Sequence, residues 1–300
     1  MKAVSSLKIS TILALVALAA QVNAHDHMPV AATSSDPGAN LEYDPFATDY
    51  TSNSGFMFSL TAGTPDDAYL GYYYTDDQVF VALAATGDDG GPEPGHATLG
   101  TYIQAKLLGV EGPAGASFGF WETAGQGTDG EGIDGTNLTW SVSVPYQNGT
   151  NLINVSESDG SPGSDPYGHL HGRIYSVTKP GFYKATWQFV DTSTNGSGGG
   201  PVDLPSVPFS TWYQAGLTII NIAVNTNQAS ITFAAPSDLP DDLSTPPTNY
   251  TVQGSAVLGP AADWHPVGDM IVGDDRLHTI TVPANGNSHY FRLAAQYFGN

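Results

Sequence analysis

The run that starts at Lys179-Pro180-Gly181 and continues through Phe182, Tyr183, Ala185, Trp187, Phe189 and Val190 places most of its apolar residues at odd positions. Successive side chains of an extended chain leave opposite faces, so this two-residue repeat predicts a strand with one buried side. Lys-Pro-Gly in front of it reads as a tight turn. The segment from Tyr167 to Gly196 is then a hairpin, and His169 and His171 lie on its first strand or at its mouth. Spaced i and i+2, their imidazoles leave the same face roughly 7 Å apart, which is half of a metal site. Two histidines on a solvated strand edge need hold no ligand, and that alternative stays open.

Elsewhere the same strand-like character recurs. The chain has 300 residues, with 15 Tyr and 12 Phe, abundant Thr, Val and Ile, and almost no window of helical periodicity, while 35 Gly and 21 Pro supply turns. The expected fold is all-β with two domains, a large β-sandwich over 25–215 and a small sandwich over 216–300. Residues 1–24 read as a signal peptide: Lys2 and Lys8, an apolar core from Ile9 to Ala20, and Val22-Asn23-Ala24 as a small-residue cleavage site. That core is short for a bilayer and no second long apolar run follows, so an exported, soluble chain without an integral membrane segment is expected. Removal of the leader leaves six basic residues against 29 acids, a formal charge of −23. Such a field disfavours nucleic acid and anionic lipid and attracts cations. With no cysteine, disulfides and thiolate metal sites are excluded.

Cleavage after Ala24 would expose His25-Asp26-His27. A free amine with His at position three binds Cu²⁺ or Ni²⁺, and an amine plus a first-position imidazole forms half of a copper brace that another His completes; a solvated terminus is the alternative. Further strands are expected at 68–74 and 78–85, joined by a Thr75-Asp76-Asp77 hairpin turn, and at 98–110. His96, at a loop-to-strand junction beside carboxylates, is a candidate third ligand. Asp129, Glu131 and Asp134 alternate with glycines in a loop that suits Ca²⁺, although the spacing matches no twelve-residue Ca²⁺ loop. Gln147-Asn148-Gly149 carries the Asn-Gly hairpin signal between strands at 138–144 and 151–157. Beyond Gly216, about six short strands follow, with His265, His278 and His289 scattered among them as structural or surface residues.

Leu107-Leu-Gly-Val-Glu-Gly-Pro113, Phe118-Gly-Phe-Trp121, Gly168-His-Leu-His171, Thr178-Lys-Pro-Gly-Phe-Tyr183 and Asp191-Thr-Ser-Thr-Asn-Gly196 occur in this order. Together they resemble a family of exported bacterial surface proteins with a G-H-x-H then T-x-P-G-x-Y signature, including sortase- or exosortase-sorted members of zinc-regulated or metal-transporter gene neighbourhoods. The resemblance covers about 25–215. It implies a metal-related extracytoplasmic role, with His169 and His171 as the matching ligands, His96, His25 and His27 as companions, and a surface or transporter protein as partner. A C-terminal sorting motif of the kind many such relatives carry is not found. Asn249-Tyr-Thr-Val-Gln-Gly254, Trp264-His-Pro-Val-Gly268 and Tyr290-Phe-Arg-Leu293 resemble strands of a fibronectin type III-like module, which spaces or docks a partner domain.

The function expected is that of a secreted or cell-surface protein binding zinc or copper without catalysis. The alternatives are a structural or adhesive surface protein with no metal, and a copper oxidase using His25. Neither G-x-S-x-G nor H-E-x-x-H is present.

Overall fold

The structure is a computed structural model that describes residues 26–43, 58–63, 69–75, 78–82, 96–123, 136–170, 173–235, 249–274, 276–284 and 290–296. Those residues form strands and turns with no helix among them, so the chain is all-β. Among them no helix is long and apolar enough to cross a membrane.

Among the described residues thirteen strands precede Gly216: β1 (Asp26–Ala32), β2 (Leu41–Tyr43), β3 (Phe58–Ala62), β4 (Tyr73–Thr75), β5 (Gln78–Ala82), β6 (Ile103–Glu111), β7 (Ser117–Thr123), β8 (Thr136–Ser143), β9 (Tyr146–Asn154), β10 (Gly168–His169), β11 (Arg173–Val177), β12 (Gly181–Asp191) and β13 (Phe209–Ala215). Nine follow one hydrogen-bonded path, β8-β7-β11-β4-β3-β13-β12-β6-β9, and four form a smaller sheet, β10-β5-β1-β2. β3 is the corner of the long path. Its Phe58–Leu60 stretch pairs in parallel with Tyr213–Ala215 of β13, while Thr61 and Ala62 pair with Tyr74 and Tyr73 of β4.

The two halves of the path face each other across an aromatic core. Phe118 of β7 meets Tyr213 of β13 at 5.3 Å, and Tyr175 of β11 meets Trp187 of β12 at 6.0 Å, both edge-on. The smaller sheet joins the same core through Phe80 of β5, which packs edge-on against Trp187, Phe189 and Phe209. Each such ring taken out of water stabilises the fold by roughly 1.5–3 kcal/mol. The alternation read from 181–190 holds throughout β12: every odd residue from Gly181 to Asp191 is buried and every even one half-buried.

Strand positions follow the sequence reading more closely than strand partners do. Lys179-Pro180-Gly181 does turn the chain, but β11 pairs with β7 and β4 whereas β12 pairs with β13 and β6. The turn therefore links layers, and the expected hairpin is absent. β4 and β5 do not pair either: Tyr74 joins an outer cluster with Tyr69, Trp121 and Ile174, while Phe80 belongs to the main core. Asn148 (φ 57) and Gly149 sit inside β9, beside an irregularity in its pairing with β6 at Leu107–Gly109. A Cβ on Gly149 would lie 2.0 Å from the Leu107 carbonyl oxygen, so only glycine allows this close approach. The chain reverses earlier, at Val144-Pro145, and there it crosses from β8 at one end of the nine-stranded path to β9 at the other.

A buried hydrogen-bond chain fastens the small sheet to the large one. Trp187 Nε1 donates to Thr211 Oγ1 at 2.9 Å, Thr211 Oγ1 donates to Tyr213 Oη at 2.9 Å, and Tyr213 donates to Gln78 Oε1 on β5. Burial pushes the Tyr213 hydroxyl well above its ordinary pKa, which keeps it protonated as a donor.

The remaining strands are β14 (Ile219–Asn225), β15 (Gln228–Ala235), β16 (Asn249–Ser255), β17 (His265–Pro266), β18 (Ile271–Val272), β19 (Arg276–Pro283) and β20 (Tyr290–Gln296). They make a three-stranded sheet, β14-β15-β19, and a second sheet around β16, which pairs with β17, β18 and β20. β14 and β15 form a hairpin across Asn225 to Gln228. Their core is separate from the first: Ala229, Ile231, Phe233, Ala235, Tyr250, Val252 and Val282. Every described pairing of β14–β20 stays within this group.

Tyr213→Phe removes the middle of the buried chain and leaves Thr211 and Gln78 each without that partner. It is expected to cost about 1–3 kcal/mol, read as a lower urea midpoint at unchanged slope.

Candidate metal centre

The histidine segment lies on an edge of the four-stranded sheet. Gly168 of β10, at φ +117, pairs with Ala82, and His169 pairs with Val81. Ala82 is buried in the core, so the face that carries Val81 and His169 is the outer one. His169 is half-buried there, and the next residue, Leu170, is 7% exposed and anchors the segment. On the other side of β5, β1 runs parallel to it with His27 opposite Val79 and Pro29 opposite Val81. The backbones of His169 and His27 thus flank one strand, two residues out of step.

His96 is held elsewhere along β1. Its Nδ1 lies 3.0 Å from the Ala97 carbonyl, and Ala97 is buried in the core. Two residues on, Thr98 Oγ1 lies 3.4 Å from the carbonyl oxygen of Ser35. Ser35 lies just past the end of β1, whereas His27 lies at its start, so the structure does not bring His96 and His27 together. Among the described residues no three His, Asp or Glu side chains converge as a ligand set. His25, His171 and the Asp129, Glu131 and Asp134 loop lie outside the described residues, and of His27 only the backbone is described. In the second group of strands, His278 Nε2 pairs with Asp274 Oδ1 at 2.7 Å and stacks on Phe233, a structural placement.

What holds the loops around this segment is a pair of buried carboxylates. Asp191 Oδ1 accepts from Tyr102 N at 2.9 Å and Ser193 N at 2.8 Å. Its Oδ2 accepts from Ser193 Oγ at 3.0 Å, Val202 N at 2.6 Å and Asp203 N at 3.1 Å. Asp203, 1% exposed, accepts from Thr98 N at 2.9 Å and Thr98 Oγ1 at 2.7 Å. Burial raises the Asp203 carboxyl above its usual range; the Thr98 donors pull it back in part and the neighbouring Asp191 charge raises it further. Asn195 Nδ2 then donates to Gly100 O at 2.6 Å and Gly160 O at 2.7 Å, tying the His96 loop to the one that leads into β10.

The residues of Thr178–Tyr183 also have packing duties. Thr178 Oγ1 accepts from Ser117 N at 2.8 Å, Lys179 Nζ donates to Ala114 O at 3.1 Å, and Tyr183 Oη donates to Lys179 O at 2.7 Å. At Gly181 a Cβ would meet Pro113 Cγ at 2.4 Å, and at Gly112 it would meet the Tyr183 ring at 2.5 Å. The Glu111-Gly112-Pro113 turn and the Lys-Pro-Gly turn therefore clasp each other. Burial raises the Tyr183 hydroxyl to about 12.

Arg173 closes the segment on its far side. Buried at 6% exposure, it donates through Nη1 to the carbonyl of Asn154 in β9 and through Nη2 to Glu122 Oε1 in β7 at 3.2 Å. Its guanidinium lies 5.6 Å from the centre of the Phe120 ring. It bridges an end strand of the nine-stranded path to a strand of the opposite layer. Burial lowers the guanidinium pKa, while Tyr175 and Glu122 raise it. Sequence reasoning missed Arg173, Asp191, Asp203 and Asn195. Asp191-Thr-Ser-Thr-Asn-Gly196, noted only as a family motif, held the signal, because Asp, Ser and Asn at alternate positions are the residues that bond back to nearby backbone.

No family model matches the chain, and no curated protein or solved structure is significantly similar to it.

Arg173→Ala removes the buried guanidinium from half-buried Glu122 and from the Asn154 carbonyl and is expected to cost about 1–3 kcal/mol, read by thermal unfolding. For Asp203, the folded pKa lies above the unfolded one, so protonation favours the fold; the contribution is present at low pH and lost as pH rises through the folded value. The stability of the native protein relative to Asp203→Asn should accordingly fall as pH rises through that value, in denaturant titrations at stepped pH.

Proposed function

We propose that this chain is an exported protein that binds Zn²⁺ or Cu²⁺ outside the cytoplasm through His169 and His171, without a catalytic step of its own. The observation that carries this reading is the placement of His169, half-buried on the outer face of an edge strand and steadied by Leu170, in the same sheet as the strand that bears His27. Imidazole suits both ions, and in a chain without cysteine the other donors are His, carboxylate, backbone nitrogen or water. His27, His25 and His96 are the nitrogen candidates to complete the set. Cleavage after Ala24 leaves His25 directly ahead of β1, which begins at Asp26. The acid excess raises cation concentration near the protein without selecting among ions. The Asp129, Glu131 and Asp134 loop is a secondary, hard-oxygen candidate for Ca²⁺. Residues 216–300 serve in this reading as a fibronectin type III-like spacer or dock for a surface or transporter partner.

A second reading is a metal-free scaffold that presents loops at a surface. It is favoured by the absence of a converged ligand trio among the described residues and by the packing duties of most motif residues. Elemental analysis of the protein as isolated separates the two readings. A copper oxidase would need His25 as the first residue of the mature chain, which intact-mass measurement decides.

Calorimetric titration of the mature protein with Zn²⁺ and with Cu²⁺ should show about one site of micromolar or tighter affinity. His169→Ala combined with His171→Ala should abolish it. Unchanged binding of both ions by the double variant would overturn the proposal.

A further inference from the structure

Among the described residues, the second sandwich leaves part of its core uncovered, and the opening has the shape of a strand. On β14, Ile222 pairs with Ile231 and Val224 with Ala229, so all four point to the same side. Ile231 and Ala229 are fully buried core residues, yet Ile222 is 43% exposed and Val224 69% exposed. On β20, Phe291, Leu293 and Ala295 pair with Gly254, Val252 and Tyr250 and face the core, but are only half-buried.

These two shortfalls face each other. A Cβ on Gly268, between β17 and β18, would meet Ile280 Cδ1 at 3.1 Å and Val282 Cγ1 at 3.6 Å, so the β17–β18 side of one sheet lies over β19 of the other. β20 runs along the whole of β16, which puts β17 and β18 together on β16's other side. β20 must then lie towards β14. Among the described residues neither strand has a second neighbour. One further strand added to the β20 edge would cover Ile222 and Val224 and complete the core.

We propose that a second copy of this chain supplies that strand, its β20 pairing antiparallel with the first about a two-fold axis at Leu293. The pattern of β20 is its own complement in this register. Leu293 falls opposite Leu293, Phe291 opposite Ala295, and Arg292 opposite Ala294, so core-facing residues meet core-facing residues and no like charges are opposed. The charge distribution favours a copy over a basic partner. In a chain with 29 acids, residues 216–235 carry no charge at all and 289–300 carry Arg292 and no acid, leaving nothing on this edge for a basic strand to pair with. Added strands on open edges are a common recognition mode, and an edge without Lys, Pro or a bulge invites one.

The test uses the full mature chain in the presence of chelator, which excludes metal-bridged association and keeps the result separate from the histidine proposal. Analytical ultracentrifugation should show a monomer–dimer equilibrium that strengthens with ionic strength, because salt screens repulsion between two acidic bodies. Val224→Asp alters an exposed position and should weaken the dimer by about tenfold or more. Leu293→Cys, in a chain with no other cysteine, should cross-link to a covalent dimer under mild oxidation, since residues opposed across strands lie within disulfide range. A monomer at all concentrations and salt levels, or a dimer indifferent to Val224→Asp and not cross-linked through Leu293→Cys, would overturn the proposal. So would a chain that stays monomeric while taking up an unrelated extended peptide at this edge.

Discussion

Five donors meet on the carboxylate of Asp191, and the loops of the first sandwich are arranged by where those donors come from. Tyr102 leads into β6, Ser193 begins the loop after β12, and Val202 and Asp203 end it. That loop end is bound in turn to the β1–β2 connection, with Gly38 N donating to Val202 O and Leu204 N to Ala39 O. An unpaired carboxylate in such a place would be expelled or protonated; one that accepts five hydrogen bonds is held. Asp203 extends the arrangement to Thr98, and Asn195 extends it to Gly160. The segment that carries His169 therefore emerges from a framework whose backbone is tied at several points before the strand begins.

This framework bears on how the ordered motifs are understood. Thr178, Gly181 and Tyr183, like Asp191, Ser193 and Asn195, are used in turns that lock one another, and Gly112 and Pro113 are the other half of a clasp. A protein sharing only those residues with this one would share an architecture and not a ligand. Gly168-His169-Leu170-His171 is different in kind. Leu170 is the inward anchor, and His169 beside it stands half-buried on the outer face of the strand.

The alternation in β12 was legible because each of its residues is judged by one local test, whether it faces in or out. Pairing was not legible, because it depends on residues far away. Asn148-Gly149 correctly marks an unusual local backbone, but the residue that makes glycine necessary is Leu107 across the ladder, and nothing near Asn148 announces it. Thr75 to Gln78 looked like a hairpin until Tyr74 and Phe80 proved to belong to different aromatic clusters. The site divides in the same way. The i, i+2 spacing made the histidine pair visible, whereas its relation to His27 exists only through the registers of β10 and β1 on β5. Asp191 and Asp203 were invisible because, among so many acids, a buried carboxylate and a solvated one are written with the same letter.

The corner strand β3 sets a condition on how the molecule can be made. Phe58–Leu60 hydrogen-bond in parallel with Tyr213–Ala215, so the corner of the nine-stranded path cannot close until some 150 residues of later chain have been delivered. β8 and β9, neighbours in sequence, end at opposite limits of that path and cannot nucleate it by zipping together. Assembly of this sandwich is consequently a late and collective event governed by distant encounters, slow relative to helical proteins of similar size. A chain built in this way leaves the edges of its early strands unpaired until the later ones arrive.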